Sequence, residues 1–447
     1  MRRSLWAVIL GTFTLRFSTG LTGALLSYYL AKLPEHGGEE VSPITNGILL
    51  ALFFVAELVL STPFGLLSDR LGHHRVMQFG PIFGGVAVVL TWATTNLYVI
   101  GGTRLLEGAS TAASVPSILG FIAAVSAGDE LLRGRAAARF EGATLAGLGV
   151  GLVAAGPLYQ VFGREAFLLN CIVYAVSFCI YRFGVDPADE LVARNLDAAD
   201  GVVTPPERTR SWGDYVALLR SSSVLVLAPT WIAINAAIGL WTTQSIFNLV
   251  KQPDPRFADQ LLMGRFTPMH ISVGIAVALV IFFIGLVYWG ERFKRFRRTT
   301  IIFYGILGGG GIVVAALALN HSEGWPEIAR VGPVLVVFVG LFLLAGATPA
   351  ALGLLADTSE AHPADRGAIM GLYSVFLALG QITGSLIGGV AASIRGMDGI
   401  IILTLVMLGI ALAPLSRLRA VEHLLEPLVG APEPGRRRGH EPDVAGG

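Results

Sequence analysis

The chain has 447 residues, of which 53% are hydrophobic and only 14% are charged. Together with a mean hydropathy of +0.67, this composition excludes an ordinary soluble protein. The formal net charge of +1 provides no strongly basic surface, so no nucleic-acid partner is expected.

Apolar segments long enough to cross a bilayer recur along nearly the whole chain. A hydrocarbon core of about 30 Å is crossed by about 20 helical residues, and the sequence predicts twelve such helices. Their predicted spans are, in chain order, 5–31, 44–66, 76–95, 97–125, 139–160, 165–184, 223–248, 267–289, 299–320, 330–356, 366–391 and 399–416. The predicted fold class is an all-α membrane protein built from two pseudo-symmetric six-helix bundles.

A polar segment separates the two sets of helices. Residues 185–222 are rich in Pro, Asp, Glu and Arg, which makes them too polar to enter the membrane and too few for a domain. We therefore predict an N-terminal bundle at 1–184, a cytoplasmic linker at 185–222 and a C-terminal bundle at 223–416. The remaining residues, 417–447, are predicted to be a cytoplasmic and largely disordered tail.

Lys and Arg residues are distributed unevenly between alternate loops. These residues resist translocation and accumulate on the cytoplasmic side of membrane proteins. If both termini are inside, most of the 32 Lys and Arg residues lie on that side. The sequence therefore predicts a multi-pass protein of the cell inner (plasma) membrane, in contact with membrane lipids, with both termini cytoplasmic and functional as a monomer.

The segment between the second and third predicted helices carries a spaced set of glycines and charges, Gly65, Asp69, Arg70, Gly72 and Arg75. This set resembles the loop signature of the major facilitator superfamily (MFS), G-x-L-x-D-R-x-G, in spacing and in position. The glycines permit a tight turn, and the carboxylate of Asp69 can interact with a positive helix N-terminus. The resemblance implies a gating motif in which Asp69 docks near Arg366, at the start of the eleventh helix.

Signs of an internal duplication extend the resemblance to about residue 416. Residues 291–297 resemble an eroded copy of 69–75, and Gly149 in the fifth helix aligns with Gly380 in the eleventh. The MFS fold implied by the resemblance consists of two halves that rock around a central cavity.

The fourth predicted helix contains Arg104, Glu107 and Gly108, which resemble the R-x-x-x-G motif of the family. The arginine of that motif is associated with proton coupling. Arg104 and Glu107 are three residues apart on one helical face, so they can neutralise each other in hydrocarbon, where an unpaired charge is costly. A structural ion pair and a role in coupling are both open.

Two further ionisable residues, Arg16 and Glu57, lie near the middle of the first and second predicted helices. Such residues usually face the bundle interior or an aqueous cavity, where a carboxyl group can take up and release a proton. Glu57, Glu107 and Arg104 are therefore the proton-coupling candidates. Arg16 is a substrate-binding candidate for an anionic group, or a counter-ion to one of the carboxylates.

The fifth predicted helix is rich in glycine, at Gly147, Gly149, Gly151 and Gly156, the last followed by Pro157. The series resembles the antiporter motif of drug exporters, with departures at Leu152, Gln160 and Val161. Close packing between helices accounts for the glycines themselves.

The seventh predicted helix carries aromatic and amide side chains that are able to line a cavity. Its substrate-binding candidates are Asn235, Trp231 and Gln244. The sequence contains no phosphate-binding loop, metal-ligand cluster or nucleophile constellation. We therefore expect no enzymatic activity, no cofactor and no metal.

These patterns predict a secondary transporter that moves a small-molecule substrate by alternating access, with proton-coupled efflux of an amphipathic compound as the first hypothesis. The alternatives are uptake or exchange of a small anionic metabolite, a lipid flippase on the same fold, and a non-transporting membrane scaffold. A scaffold has no need of four ionisable residues in mid-membrane. The identity of the substrate does not follow from the sequence.

Overall fold

The computed structural model describes residues 2–126, 129–187, 222–292, 295–351, 353–354, 366–415, 417 and 419. Regular structure within these ranges is entirely helical. The predicted linker at 185–222 and the predicted tail at 417–447 lie almost wholly outside the described residues. Their boundaries therefore stay predictions, as do those of the two bundles.

The helices in the described ranges are α1 Arg2–Ala31, α2 Pro43–Leu71, α3 His73–Val76, α4 Phe79–Ala93, α5 Leu97–Val125, α6 Glu130–Phe162, α7 Ala166–Gly184, α8 Ser222–Val250, α9 Pro268–Arg292, α10 Arg298–Asn320, α11 Glu327–Leu344 and α12 Arg366–Leu412. Helix α12 consists of two arms, because Arg395 and Gly396 leave helical backbone angles, Gly396 with φ +59°. Each predicted span overlaps one of these helices or one arm of α12.

Several of these helices begin at a side-chain cap. Ser42 accepts a hydrogen bond from the backbone N–H of Thr45 at the start of α2, where Pro43 occupies the first helical position. Asn96 caps α5, and Asp129 caps α6. A cap satisfies backbone N–H groups that have no partner within the helix. These local signals fix the ends of the helices that face water.

The outer faces of the helices are apolar. Exposed side chains include Val59, Val161, Ile284 and Ile394, each with more than half of its surface accessible. Nine segments of the described chain are long and apolar enough to cross a membrane. One of them contains both α6 and α7, and another contains parts of both arms of α12. The chain is a multi-pass, all-α membrane protein, as predicted, and the total of twelve crossings stays a prediction.

In the N-terminal half, glycines bring α6 into backbone contact with α1. A Cβ added at Gly147 would lie 2.6 Å from the carbonyl oxygen of Phe13, and one at Gly151 would lie 2.1 Å from that of Phe17. No side chain fits at these distances. The four-residue spacing places both glycines on one helical face, so α1 and α6 pack as one unit.

The C-terminal half repeats this contact between α12 and α8. A Cβ at Gly380 would lie 2.7 Å from the carbonyl oxygen of Ile232, and one at Gly384 would lie 2.1 Å from that of Ala236. In packing, Gly380 is therefore equivalent to Gly147. The predicted alignment of Gly380 with Gly149 is wrong by two residues, because Gly149, which lies between Gly147 and Gly151, is on another face of α6.

Gly151→Ala is expected to lower the melting temperature of the purified protein by several degrees. The added methyl group must separate α6 from α1, and overpacking of this kind costs about 1–3 kcal/mol. Gly142, on the same helix, has open space at its Cβ position. Gly142→Ala is the matched control and should leave stability unchanged or raise it, because Ala favours helix more than Gly. Equal melting temperatures for the two variants would contradict the packing role.

The two halves meet at the end of the molecule where α8 ends and α2 begins, which we call the Lys251 side. Asn46 Nδ2 on α2 donates a hydrogen bond to the carbonyl oxygen of Thr243 on α8, at 2.8 Å. Gln244 Nε2 donates to the carbonyl oxygen of Pro43, at 3.1 Å. Both amides are fully buried, so water is excluded between α2 and α8 at this level.

Two further contacts join the halves on the Lys251 side. Lys251 Nζ donates to the carbonyl oxygen of Val41, at 2.7 Å, and pairs with Glu40, at 3.0 Å. On the other flank, the backbone N–H of Gly156 on α6 donates to Ser272 Oγ on α9, at 3.0 Å. The glycine-proline end of the antiporter-like motif thus takes part in closing this side. The opposite end, where α2 finishes, is the Asp69 side.

Candidate functional site

A buried ion pair lies inside the N-terminal half. Arg104 and Glu107 on α5 are 5% and 3% exposed, and Nη1 of the arginine pairs with Oε2 of the glutamate. The guanidinium also lies over the ring of Phe53 on α2, 5.2 Å from its centroid. The predicted pairing is confirmed. Arg104 Nε and Glu107 Oε1 have no hydrogen-bond partner in the described part of the chain.

The next residue on α5, Gly108, holds that helix against α2. A Cβ at Gly108 would lie 2.3 Å from the carbonyl oxygen of Phe53 and 3.1 Å from the backbone nitrogen of Glu57. The backbone of Glu57 is therefore fixed at the contact between α2 and α5. Its side chain is half-buried and, within the described ranges, forms neither a hydrogen bond nor an ion pair.

Arg16 on α1 is the positively charged residue that acts electrostatically on this carboxylate. Its side chain is half-buried, and its Cβ lies at the contact with α6, where a Cβ on Gly147 would be 2.9 Å away. Arg16 acts electrostatically on Glu57, but no nitrogen of Arg16 is within 4.0 Å of a carboxylate oxygen in the described residues. Two opposite charges on α1 and α2 thus interact electrostatically without direct contact.

The candidates on the seventh predicted helix, now α8, are all buried. Trp231 is 2% exposed, Asn235 is 3% exposed and Gln244 is fully buried. Asn235 Nδ2 donates to the carbonyl oxygen of Trp231, at 2.9 Å, and Gly380 of α12 packs against the Asn235 side chain. In this conformation the three residues contact protein and line no open space, so their role in substrate binding stays a prediction.

The gating motif lies mainly on a helix, because α2 continues to Leu71. Gly65 lies within α2, as the predicted span 44–66 implies. The turn occurs at Gly72, which has φ +95° and whose N–H donates to the carbonyl oxygen of Ser68, at 3.0 Å. A left-handed backbone of this kind requires glycine. The polar sequence of the motif placed the predicted end of the helix at residue 66, and α2 continues to Leu71.

The charged members of the motif are at the surface of the Asp69 side. The side chain of Asp69 is 67% exposed, and its carboxylate lies 3.9 Å from His73 Nε2. Arg70 and Arg75 are exposed. Arg366 begins α12, but its side chain is outside the described part of the structure. The docking of Asp69 at that position therefore stays a prediction.

Sequence reasoning missed the polar contacts of the Lys251 side. Asn46 is one turn into α2, and Glu40 and Lys251 are in loops beside apolar helices. From sequence, each is indistinguishable from a residue at the membrane surface. His73 was also missed as a packing residue, since its ring lies against Gly120 of α5.

Comparisons with known sequences agree with the geometry of the helices. A family model described as Major Facilitator Superfamily matches residues 8–329. Quinolone resistance protein NorA of Staphylococcus aureus is 21% identical over 393 residues, which are 87% of this chain and 90% of the relative. Multidrug resistance protein 1 of Bacillus subtilis is 24% identical over 357 residues, which are 78% of this chain and 81% of the relative.

Comparisons with solved structures give the same fold. The crystal structure of nucleoside transporter NupG has a TM-score of 0.67 at 13% identity, with 94% of this chain and 99% of that chain covered. A crystal structure of peptide transporter POT has a TM-score of 0.69 at 16% identity, with 94% and 95% covered. With a family model that matches most of its length and a fold shared with these transporters, the chain belongs to the Major Facilitator Superfamily, a family of transporters and not of enzymes.

Proposed function

We propose that this protein is a proton-coupled secondary transporter that exports an amphipathic small molecule by alternating access. The observation that carries the proposal is the unbridged pair of Arg16 and Glu57 inside the N-terminal half. Relatives named for quinolone and multidrug resistance support efflux as the direction. The protein would act as a monomer in the plasma membrane, with both termini in the cytoplasm.

Glu57 is the better of the two candidate proton carriers. Glu107 is engaged by Arg104, and protonation of its carboxylate would leave a buried arginine uncompensated, which is strongly unfavourable. Glu57 has no bonded partner among the described residues and is partly accessible. It can therefore exchange a proton without breaking an ion pair. When Glu57 is protonated, its carboxyl group carries no negative charge to attract a cationic substrate. A proton and a cationic substrate therefore exclude each other at Glu57.

The contacts between the halves support alternating access. The hydrogen bonds that the structure describes between the halves are all on the Lys251 side. By the distribution of Lys and Arg, that side faces the cell exterior. Export then requires these contacts to break while the Asp69 side closes, and the gating motif stabilises the closed state of the Asp69 side.

The experiment is flux into proteoliposomes driven by a pH gradient. Ethidium serves as an amphipathic cation and a fluorescent phosphatidylcholine as a lipid probe. Export predicts uptake of ethidium or another soluble amphipath into liposomes with an acidic lumen, and dissipation of the gradient stops it. Movement of the lipid probe alone would indicate a flippase, and movement of neither, across a panel of amphipaths and small anions, would indicate a scaffold.

Arg16 gives a second candidate function, the uptake or exchange of a small anionic metabolite. A half-buried arginine without an ion-pair partner in the described chain is a ready site for a carboxylate or phosphate group. Flux of organic anions that is independent of Glu57 would favour this function over export.

Asp69→Asn is expected to slow turnover about five- to tenfold and to change substrate affinity less than about twofold. Loss of the charge weakens the docked state on the Asp69 side, and a contact that differs between two states alters their exchange. Turnover is measured as flux and affinity by equilibrium binding. Glu39, exposed on the opposite side, provides the control variant Glu39→Gln. Equal losses of affinity and turnover would argue against a gating role.

A further inference from the structure

We propose that Arg16 and Glu57 are the two ends of a single substrate site that selects zwitterionic solutes. The anionic group of the solute binds Arg16, and its ammonium group binds Glu57. The inference rests on the proposed transport function and names the class of substrate for it.

The first argument is that each of the two charges lacks a partner. Charged groups within a membrane bundle are normally paired, because hydrocarbon does not solvate them. Arg104 and Glu107 follow this rule by direct contact. Arg16 and Glu57 do not, although both are in the middle of apolar helices and both are partly accessible. A pair held apart in this way is suited to a ligand that supplies both missing partners.

The second argument is that the separation is built into the helix packing. Arg16 belongs to α1, which is fixed against α6 by close contacts at Gly147 and at Gly20, whose Cβ position is 2.3 Å from the carbonyl oxygen of Leu148. Glu57 belongs to α2, which is fixed against α5 at Gly108. The two charged side chains therefore extend from different helix pairs. A site that is preorganised in this way loses little conformational entropy when it binds a ligand.

The third argument concerns charge balance. An anion on Arg16 alone brings a negative charge near Glu57, and a cation on Glu57 alone brings a positive charge near Arg16. A zwitterion avoids both repulsions. The guanidinium is also suited to a carboxylate, because it can donate two parallel hydrogen bonds.

The other helices packed against α2 add no uncompensated charge close to Glu57. On α3, His73, His74 and Arg75 lie beyond the end of α2, about 20 Å from Glu57 at 1.5 Å per helical residue. On α5, the charges of Arg104 and Glu107 compensate each other. Residues 228–250 of α8 and 374–394 of α12 contain no ionisable side chain. The local field at Glu57, from the part of the chain that the structure describes, is therefore set mainly by Arg16.

The test uses matched sets of probes on two aromatic scaffolds, tryptophan and 4-(aminomethyl)benzoate. Each set contains the zwitterion, its methyl ester, its N-acetyl derivative and the doubly capped neutral form. Binding to the purified full-length protein is measured as a ligand-dependent rise in melting temperature, which gives an apparent Kd. We expect the zwitterion of at least one set to bind about tenfold or more tightly than the other three members.

Variants assign the two ends of the site. Arg16→Gln should reduce the affinity for the zwitterion to that for the methyl ester, and Glu57→Gln should reduce it to that for the N-acetyl derivative. Arg133→Gln and Glu39→Gln alter exposed charges elsewhere and should leave the ranking unchanged. The ranking in the unaltered protein decides the question even if a variant fails to fold. The proposal is overturned if no zwitterion binds more tightly than its capped partners, which includes the case in which no probe binds.

Failure of this site can be distinguished from failure of the transport proposal. Binding is measured without a gradient, and flux is measured with one. Preference for the zwitterion without pH-driven flux would support the site and contradict proton-coupled export. Flux of ethidium driven by pH, without any preference for the zwitterion, would support export and overturn the zwitterion site.

Discussion

Glu57→Gln is expected to reduce pH-driven flux at least about tenfold while exchange of substrate without a gradient continues. Glutamine has the size of glutamate but cannot carry the transported proton, so the substrate gradient is uncoupled from the pH gradient. The measurement compares uptake into liposomes with an acidic lumen with counterflow at equal pH on both sides.

Glu107→Gln is the matched control for this experiment. It leaves Arg104 as an unpaired buried charge, and the loss of one partner of such a pair costs about 3–5 kcal/mol. We therefore expect a lower yield and melting temperature, with no selective loss of pH dependence in the protein that folds. If Glu107→Gln folds well but loses coupling, and Glu57→Gln remains coupled, then Glu107 and not Glu57 is the proton site. If both variants retain pH-driven flux, neither carboxylate is the proton site.

Cross-linking of the Lys251 side is expected to reduce flux at least about tenfold, and a reductant should restore it. Glu40 and Lys251 pair across the two halves, so cysteines at these positions can be joined by a short reducible bis-methanethiosulfonate. Export requires this side to open, and a covalent link removes the open state from the equilibrium. The background carries Ser in place of the free cysteines Cys171 and Cys179.

The single variants Glu40→Cys and Lys251→Cys, treated with the same reagent, are the controls. Each should retain most of its flux, because modification of one half leaves the halves free to separate. Full flux through a protein that is completely cross-linked would show that the Lys251 side does not open during transport.

The sequence predicts those features of the fold that depend on local pattern. Apolar runs gave the positions of the membrane helices, and α5 at Leu97–Val125 agrees with its predicted span at both ends. The pairing of Arg104 with Glu107 was predictable for the same reason, because residues three apart on a helix are neighbours. The end of α2 at Leu71 could not be predicted in this way. Polarity indicates where a segment becomes too polar for lipid, but backbone hydrogen bonds can continue a helix beyond that point into water.

Features that depend on tertiary packing could not be predicted. The electrostatic interaction of Arg16 with Glu57 depends on how α6 and α5 place α1 and α2, and nothing in either segment encodes that placement. Gln244 was predicted to line a cavity because it is polar within an apolar helix. Its carbonyl partner, Pro43, belongs to the other half, and such a contact exists only in a conformation that is closed on that side.

Glycine packing and polar contacts are distributed differently within the halves and between them. Within each half, glycines bring helix backbones together over long lengths. The contacts between the halves combine glycine packing, at Gly47, Gly156 and Gly389, with a few polar groups on the Lys251 side. Substitutions at the polar groups of the junction should therefore alter how fast the transporter cycles, and those at glycines inside one half, such as Gly151, should alter how much protein reaches the membrane. During evolution, the speed of the pump can then be tuned by single residues such as Asn46 or Lys251 without loss of a foldable protein.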